Sequence, residues 1–322
     1  MPNENLLVKA LIILLFPFYL IAQSPVQQAR KEYEVKNFDK SISILEDYIK
    51  TYPKNSEAIE LLGDAYGKLK QWEDAKKQYK LLSEKNPKNA NYHYKYGGVL
   101  GMMALENKLK AIGLIDDIKT EFRTAAELDP NHIDVRWALV EFYMELPGIF
   151  GGSMDTAVRY ANELEEISKV DGYLAKGFIY EKDGNEKLAE TFYKKAKKIG
   201  GSKTCFEKLA EFYDHEKRYG DAINVYLDAA KKFQTNDYLF KAGEISAKNK
   251  ISLLVGLDSL KTYIDNFSDK NQYSIGWAHY LLAQVYRGMG QKTDAMGHIS
   301  VAIQIHPEEQ SFQKEKALIQ KL

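Results

Sequence analysis

Two glycine-rich segments, six histidines, one cysteine and many carboxylates are the residues of this chain that could do chemistry. The segment Leu146-Pro-Gly-Ile-Phe-Gly-Gly-Ser153 precedes a helix predicted to begin near Met154. Backbone N–H groups around Gly148, Gly151 and Gly152, ahead of a helix N-terminus, could receive an anion. The same residues also read as a lengthened turn, with Ser153 as N-cap and Asp155 placed where the helix dipole favours an acid. No Gly-Lys-Ser/Thr follows and no strand precedes, so a nucleotide phosphate loop is excluded. Gly200-Gly-Ser-Lys-Thr204 imitates such a loop, but Ser202 stands where the second glycine belongs. The histidines are His93, His132, His215, His279, His298 and His306; no two lie four apart on one helix, and none has a cysteine at ligand spacing. No HExxH, GxSxG or CxxC occurs, so neither a metal nor a cofactor is expected. Cys205 has no partner for an intramolecular disulfide and reads as a small buried helix residue, with a reactive thiol as the sharper alternative.

The elements that must position these groups come from one long chain. Its 322 residues are 45% hydrophobic and 28% charged, and Lys+Arg and Asp+Glu are equal at 45 each. A neutral total gives no field drawing the protein to nucleic acid or an anionic membrane. The first 22 residues differ from the rest. A short polar head ending at Lys9 precedes the apolar run from Ala10 to Ala22, which contains Pro17 and ends in a small residue before Gln23-Ser24. That run is shorter than the roughly 20 residues a bilayer core requires. It predicts a signal peptide over 1–22, cleaved after Ala22, with a buried helix or an uncleaved anchor as competing readings. No cysteine follows the run, which excludes lipoprotein attachment. After cleavage no stable membrane insertion is expected, and the periplasm, or alternatively secretion, is the expected destination.

The chain repeats itself. Gly63, Tyr66, Ala75 and Tyr79, in a copy that also has Trp72 and Pro87, align with Gly177, Tyr180, Ala189 and Tyr193, in a copy that also has Gly184 and Ala196. A third copy has Ala210, Tyr213, Tyr219, Ala222 and Tyr226, and a fourth Ala283, Tyr286, Gly290, Ala295, Ala302 and Pro307. Weaker copies open at Ala29, Gly97, Trp137 and Gly243, two of them lengthened around Leu105 to Asp116 and Leu146 to Ser153. Small residues let two antiparallel helices approach closely, aromatics fill the wedge between hairpins, and proline ends the second helix.

This pattern resembles the tetratricopeptide-repeat (TPR) family, in the form of an exported bacterial member. The resemblance implies an all-α, right-handed superhelical solenoid of antiparallel helix hairpins over residues 23–322. Eight motifs are expected, near 25–55, 56–89, 90–132, 133–169, 170–202, 203–235, 236–272 and 276–307, with a capping helix at 308–322 that hides the last apolar face.

In that family the first helix of each hairpin lines a concave groove, with groove-facing residues six and three before the Gly/Ala and one, four and five after it. Those offsets select thirteen acids here: Glu57, Glu60, Asp64, Asp134, Glu141, Glu145, Asp171, Glu181, Glu207, Glu211, Asp214, Asp237 and Glu244. Only Lys68, Lys182, Lys248 and Arg287 oppose them, so the compensating lysines are expected on second helices. Tyr94, Trp137, Leu174, Phe178, Phe240, Trp277 and Tyr280 are expected in the same groove as rigid apolar anchors. A merely solvated helix face is the alternative. The reading is a non-catalytic scaffold or adaptor that binds an extended or basic segment of a protein partner. The alternatives are a structural subunit of an envelope assembly, and an enzyme or ligand-binding protein using the 148–153 loop. TPR domains that clamp acidic tails use Lys, Arg and Asn in the groove, and the acids here argue against that ligand.

Overall fold

A stripe of small and apolar residues at helical spacing, closed at each end by Ser, Asn, Gly or Lys, dictates the local structure throughout. The computed structural model describes residues 24–107 and 111–322. The leader reading for 1–22, and 108–110 of the first lengthened segment, lie outside the described residues. Every regular element among the described residues is helical, with seventeen α-helices and two short 3₁₀ turns.

The helices are α1 (Pro25–Glu34), α2 (Phe38–Thr51), α3 (Ser56–Lys68), α4 (Trp72–Lys85), α5 (Ala90–Glu106), α6 (Ile115–Leu128) and α7 (Ile133–Glu145). They continue as α8 (Met154–Ile167), α9 (Lys169–Lys182), α10 (Glu186–Ile199), α11 (Lys203–His215) and α12 (Tyr219–Phe233). The last five are α13 (Asp237–Asn249), α14 (Leu253–Asp265), α15 (Ile275–Gly288), α16 (Lys292–Ile305) and α17 (Gln310–Gln320). Several starts are set by side-chain caps. Asn55, Asn89, Ser153, Ser168 and Ser202 each accept the N–H three residues on, satisfying a donor the helix leaves open. The turn inside a hairpin carries one left-handed residue, seen at Lys36, Lys70, Gly184, Lys217, Lys250 and Gly290.

The chain divides into two compact units, unit 1 ending at Val135 and unit 2 running from Arg136 to Leu322. Inside each, consecutive helices pack as pairs, and first helices of successive hairpins also touch: α1 with α3, α9 with α11, α13 with α15, and α15 with α17. The close approach within a hairpin is made by a small residue facing a ring. A Cβ on Gly63 would lie 2.8 Å from the Tyr79 ring, and one on Gly177 2.6 Å from that of Tyr193. The small residues of the repeat pattern predict Ala75 opposite Gly63; the side chain that meets it is Tyr79, four residues or one helical turn further along α4. At the C-terminus α17 buries Phe312 and Ile319 completely.

Candidate functional site

In unit 1 the first-helix carboxylates form a closed frame. Glu60 and Asp64 stand one turn apart on α3, and Lys95 of α5 reaches both, at 2.7 Å from each. Tyr79 of α4 donates its hydroxyl to Asp64 at 2.6 Å, and Asn91 donates to Glu60 at 3.0 Å. Burial, and then the Asp64 carboxylate, push the Tyr79 phenol above its ordinary range. The two acids are therefore occupied by groups of their own unit.

Unit 2 repeats this frame with two acids, a tyrosine and a lysine; the acids and tyrosine keep their spacing, the second acid is Glu rather than Asp, and the lysine comes one residue earlier. Glu207 and Glu211 of α11 correspond to Glu60 and Asp64, Tyr226 of α12 to Tyr79, and Lys241 of α13 to Lys95. Here the frame is open. Lys241 pairs instead with Glu244 on its own helix, at 3.1 Å, and lies 5.2 Å over the Tyr273 ring. The Tyr226 side chain is buried, yet its hydroxyl has no hydrogen-bond partner among the described residues. Between these side chains lies a cavity of about 530 Å³, lined by Glu207, Glu211, Asp214, Tyr226, Tyr238 and Tyr273 among others.

The charges around the cavity do not cancel group by group. Glu211 pairs with Lys208 at 3.0 Å, both side chains about half exposed, a contact of small worth. Glu244 is held by Lys241 and Lys248, and Asp237 accepts from Asn271 and from the Gln272 N–H. Glu207 takes the Tyr238 hydroxyl at 2.8 Å and has no cation within ion-pair reach. Asp214 has neither a hydrogen bond nor an ion pair to its carboxylate among the described residues. Of the lining cations, Lys203 stands 6.0 Å over the Phe233 ring and His215 contacts Glu181 at 2.9 Å.

Two stretches, residues 33–96 and 170–199, match models of the tetratricopeptide repeat, one in each unit. Each unit thus contains tetratricopeptide-repeat sequence. No curated protein matches its sequence. Among solved structures it is similar to yeast Tom70, at 14% identity over 89% of this chain and 58% of that one, with a TM-score of 0.58. It is also similar to a tetratricopeptide repeat protein from Parabacteroides merdae ATCC 43184, at 10% identity over 92% of this chain and 97% of that one, TM-score 0.49. At such identities the likeness to Tom70 is one of fold alone.

The other residues expected on the groove of this repeat protein meet different fates. Tyr94 is half-buried against the His132 ring, 5.0 Å between centroids. Trp137 is half-buried, and its indole N–H donates to Asp171 at 3.1 Å, so both polar handles are used at home. Phe178 is half-buried beneath Lys182, and Glu141 is exposed. Phe240 is not on an open face. It is buried, stacked on Tyr273 at 4.2 Å and edge-on to Tyr263. Trp277 and Tyr280 are half-buried against Phe312 of α17, because the terminal helix covers the last first-helix face.

The 148–153 loop folds on itself. Gly151 N–H donates to the Gly148 carbonyl, Gly152 N–H to that of Pro147, and Ser153 N–H to that of Tyr143. Ser153 caps α8 through the Thr156 N–H. These three N–H groups are spent inside the turn, and a Cβ on Gly152 would collide with the Leu146 carbonyl oxygen. The arrangement is that of a lengthened turn. Cys205 is buried in α11.

One pairing was invisible to a search along single helices. His279 of α15 and His298 of α16 meet at 2.9 Å between Nδ1 atoms. Burial, and then the His298 neighbour, push His279 down to about 4. Among the described residues no group of three or more His, Cys, Asp or Glu could hold a metal ion.

Proposed function

We propose that this protein is a non-catalytic scaffold outside the cytoplasm, holding an extended, basic segment of a protein partner on the first-helix face of unit 2. Tetratricopeptide repeats generally mediate protein–protein contact, and no described helix is long and apolar enough to cross a membrane. The observation that carries the reading is the cavity between α11 and α13, where Glu207, Glu211 and Asp214 follow one another along one face of α11. Carboxylates at i, i+4 and i+7 share a helix face and form a row that an extended cationic segment can follow.

A photo-crosslinking side chain placed at Glu211, with a second at Lys195 on a second helix, tests this in a native extract of the source cell. Partner adducts from position 211, lost on raising salt, are expected. Adducts from position 195 alone would support a structural subunit bound through its second-helix face and defeat the groove reading. Fractionation of cells expressing the full chain tests the export reading: the protein is expected outside the cytoplasm and shortened by the first 22 residues.

A further inference from the structure

Unit 1 displays the frame with its cation in place, and unit 2 displays it without. In unit 1 an ammonium group sits between two carboxylates one turn apart, beside a tyrosine hydroxyl bonded to one of them. In unit 2 the two carboxylates, the tyrosine and the lysine recur, but the lysine has been drawn away by Glu244 and the Tyr273 ring. The reason lies in the residue after the repeat glycine. In α5 that residue is Gly98, which offers Lys95 no competing acid; in α13 it is Glu244, one turn from Lys241. What remains is Glu207 with no cation, Asp214 with no partner, and a Tyr226 side chain 6% exposed whose hydroxyl meets only the cavity. That hydroxyl is not sealed in the interior but opens to the cavity, where it is free to bond to a ligand in place of water.

We infer that the unit 2 cavity receives a lysine or arginine side chain from the bound segment. Its cation takes the place among Glu207, Glu211 and Tyr226 that Lys95 takes among Glu60, Asp64 and Tyr79. This rests on the reading of unit 2 as a partner-binding face and names the group that face selects. The ligand's N–H groups donate to the Glu207 oxygen that Tyr238 leaves free, to Glu211 and to the Tyr226 oxygen, with Asp214 adding negative charge further along the same face. The Tyr226 and Tyr238 rings, stacked on each other at 6.0 Å, give the aliphatic stem one apolar wall. A cavity of about 530 Å³ exceeds one side chain, which leaves room for the backbone on either side of it. Lys241 is the built-in competitor, held off by its bond to Glu244.

The test uses the full chain and four peptides, acetyl-Gly-Gly-X-Gly-Gly-amide with X as lysine, arginine, acetyl-lysine or citrulline, titrated by NMR. The two charged peptides are expected to bind about tenfold more tightly than their neutral counterparts. Glu207→Gln is expected to weaken the lysine peptide about tenfold, and Tyr226→Phe, which removes one oxygen and no bulk, about threefold. Lys241→Met is expected to tighten it, whereas Glu57→Gln, a carboxylate of the same face in unit 1, leaves it unchanged. Thermal melts confirm that each variant is folded. The inference is overturned if charged and neutral peptides bind alike, if none binds at millimolar concentration, or if Tyr226→Phe and Lys241→Met change nothing. Partner adducts at position 211 combined with any of those results would leave the partner-binding face standing and remove only the cation.

Discussion

Glu60, Asp64, Tyr79 and Lys95 in unit 1, and Glu207, Glu211, Tyr226 and Lys241 in unit 2, are two acids, a tyrosine and a lysine at corresponding repeat positions with opposite results. The first set closes on itself through Lys95. The second leaves its tyrosine and one carboxylate facing a cavity, because Lys241 bonds to Glu244. A repeat array can thus hold one frame as a structural clamp and its copy as a receptive site. The switch between them is a single neighbouring carboxylate, present as Glu244 in α13 and absent at Gly98 in α5.

The difference can be broken at the lysines first. Lys95→Ala leaves two half-buried carboxylates facing each other and is expected to destabilise unit 1 by about 3 kcal/mol. Lys241→Ala, which removes a partly exposed pair, is expected to cost unit 2 about 0.5–1 kcal/mol. Site-resolved hydrogen exchange reads the two units separately, and equal losses would abolish the distinction between clamp and open site.

Acid should separate the units next. His279 is neutral in the folded protein, held near 4 by burial and by His298, against an ordinary value of 6.5. The groups facing this pair also include Asp294, which favours protonation of His298, and Lys261, which opposes it. The unfolded chain takes up the proton first, so stability is full above 6.5, falls as pH drops from 6.5 toward 4, and is level below that. The expected loss is about 1–2 kcal/mol in unit 2 after screening by water, and His279→Gln should flatten that window. Glu190 acts at lower pH. The Arg218 guanidinium, aided by Lys194 and Tyr213, lowers its carboxyl to about 2. Its contribution is complete above the ordinary value of 4.5 and disappears as pH falls from 4.5 through 2.

Glu244→Ala addresses the switch itself. Freed from its partner, Lys241 is expected to swing onto Glu207 and Glu211, as Lys95 does on their counterparts. Affinity for the lysine peptide should fall about tenfold, close to one charge-assisted hydrogen bond. Unchanged affinity would show that Glu244 does not set the position of Lys241. The smallest effect belongs to the turns. Lys70 and Lys217 hold the same left-handed place in their hairpins that Gly184 and Gly290 hold in theirs. Lys70→Gly and Lys217→Gly are each expected to raise stability by about 0.5 kcal/mol in thermal melts, equally in the two units.

Much of this was written in residue types. Gly63 and Gly177 were legible as points of close helix approach, which tolerates few side chains, but the rings they meet, Tyr79 and Tyr193, were not. Ser153 was legible as a cap because short polar side chains satisfy open helix donors. The charge balance was not. Counting acids at the nominal groove offsets omitted the place two residues before the repeat glycine, where Lys95 and Lys241 stand. The compensating cations are thus partly on first helices. Nor could spacing tell that Lys95 crosses to the preceding hairpin while Lys241 stays on its own helix, since a long flexible side chain is placed by whichever acid is nearest. Phe240 shows the matching limit for aromatics: its offset named a face, and the Tyr273 ring from a distant loop closed over it.

The left-handed hairpin turn has a consequence for what can be built into this chain. Where it is kept, the two helices are joined by a few residues, as between Lys68 and Trp72. Both lengthened segments fall at this same joint, between Glu106 and Ile115 and between Glu145 and Met154. The joint between one hairpin and the next is a single residue between Ile167 and Lys169 but nine residues between Asp265 and Ile275. Extra length is therefore admitted at hairpin tips and at one joint between hairpins, where the added loop brings Tyr273 onto Phe240. A fluorescent or affinity insert placed at Lys217 would extend a tip, whereas the same insert at Ser168 would wedge two hairpins apart.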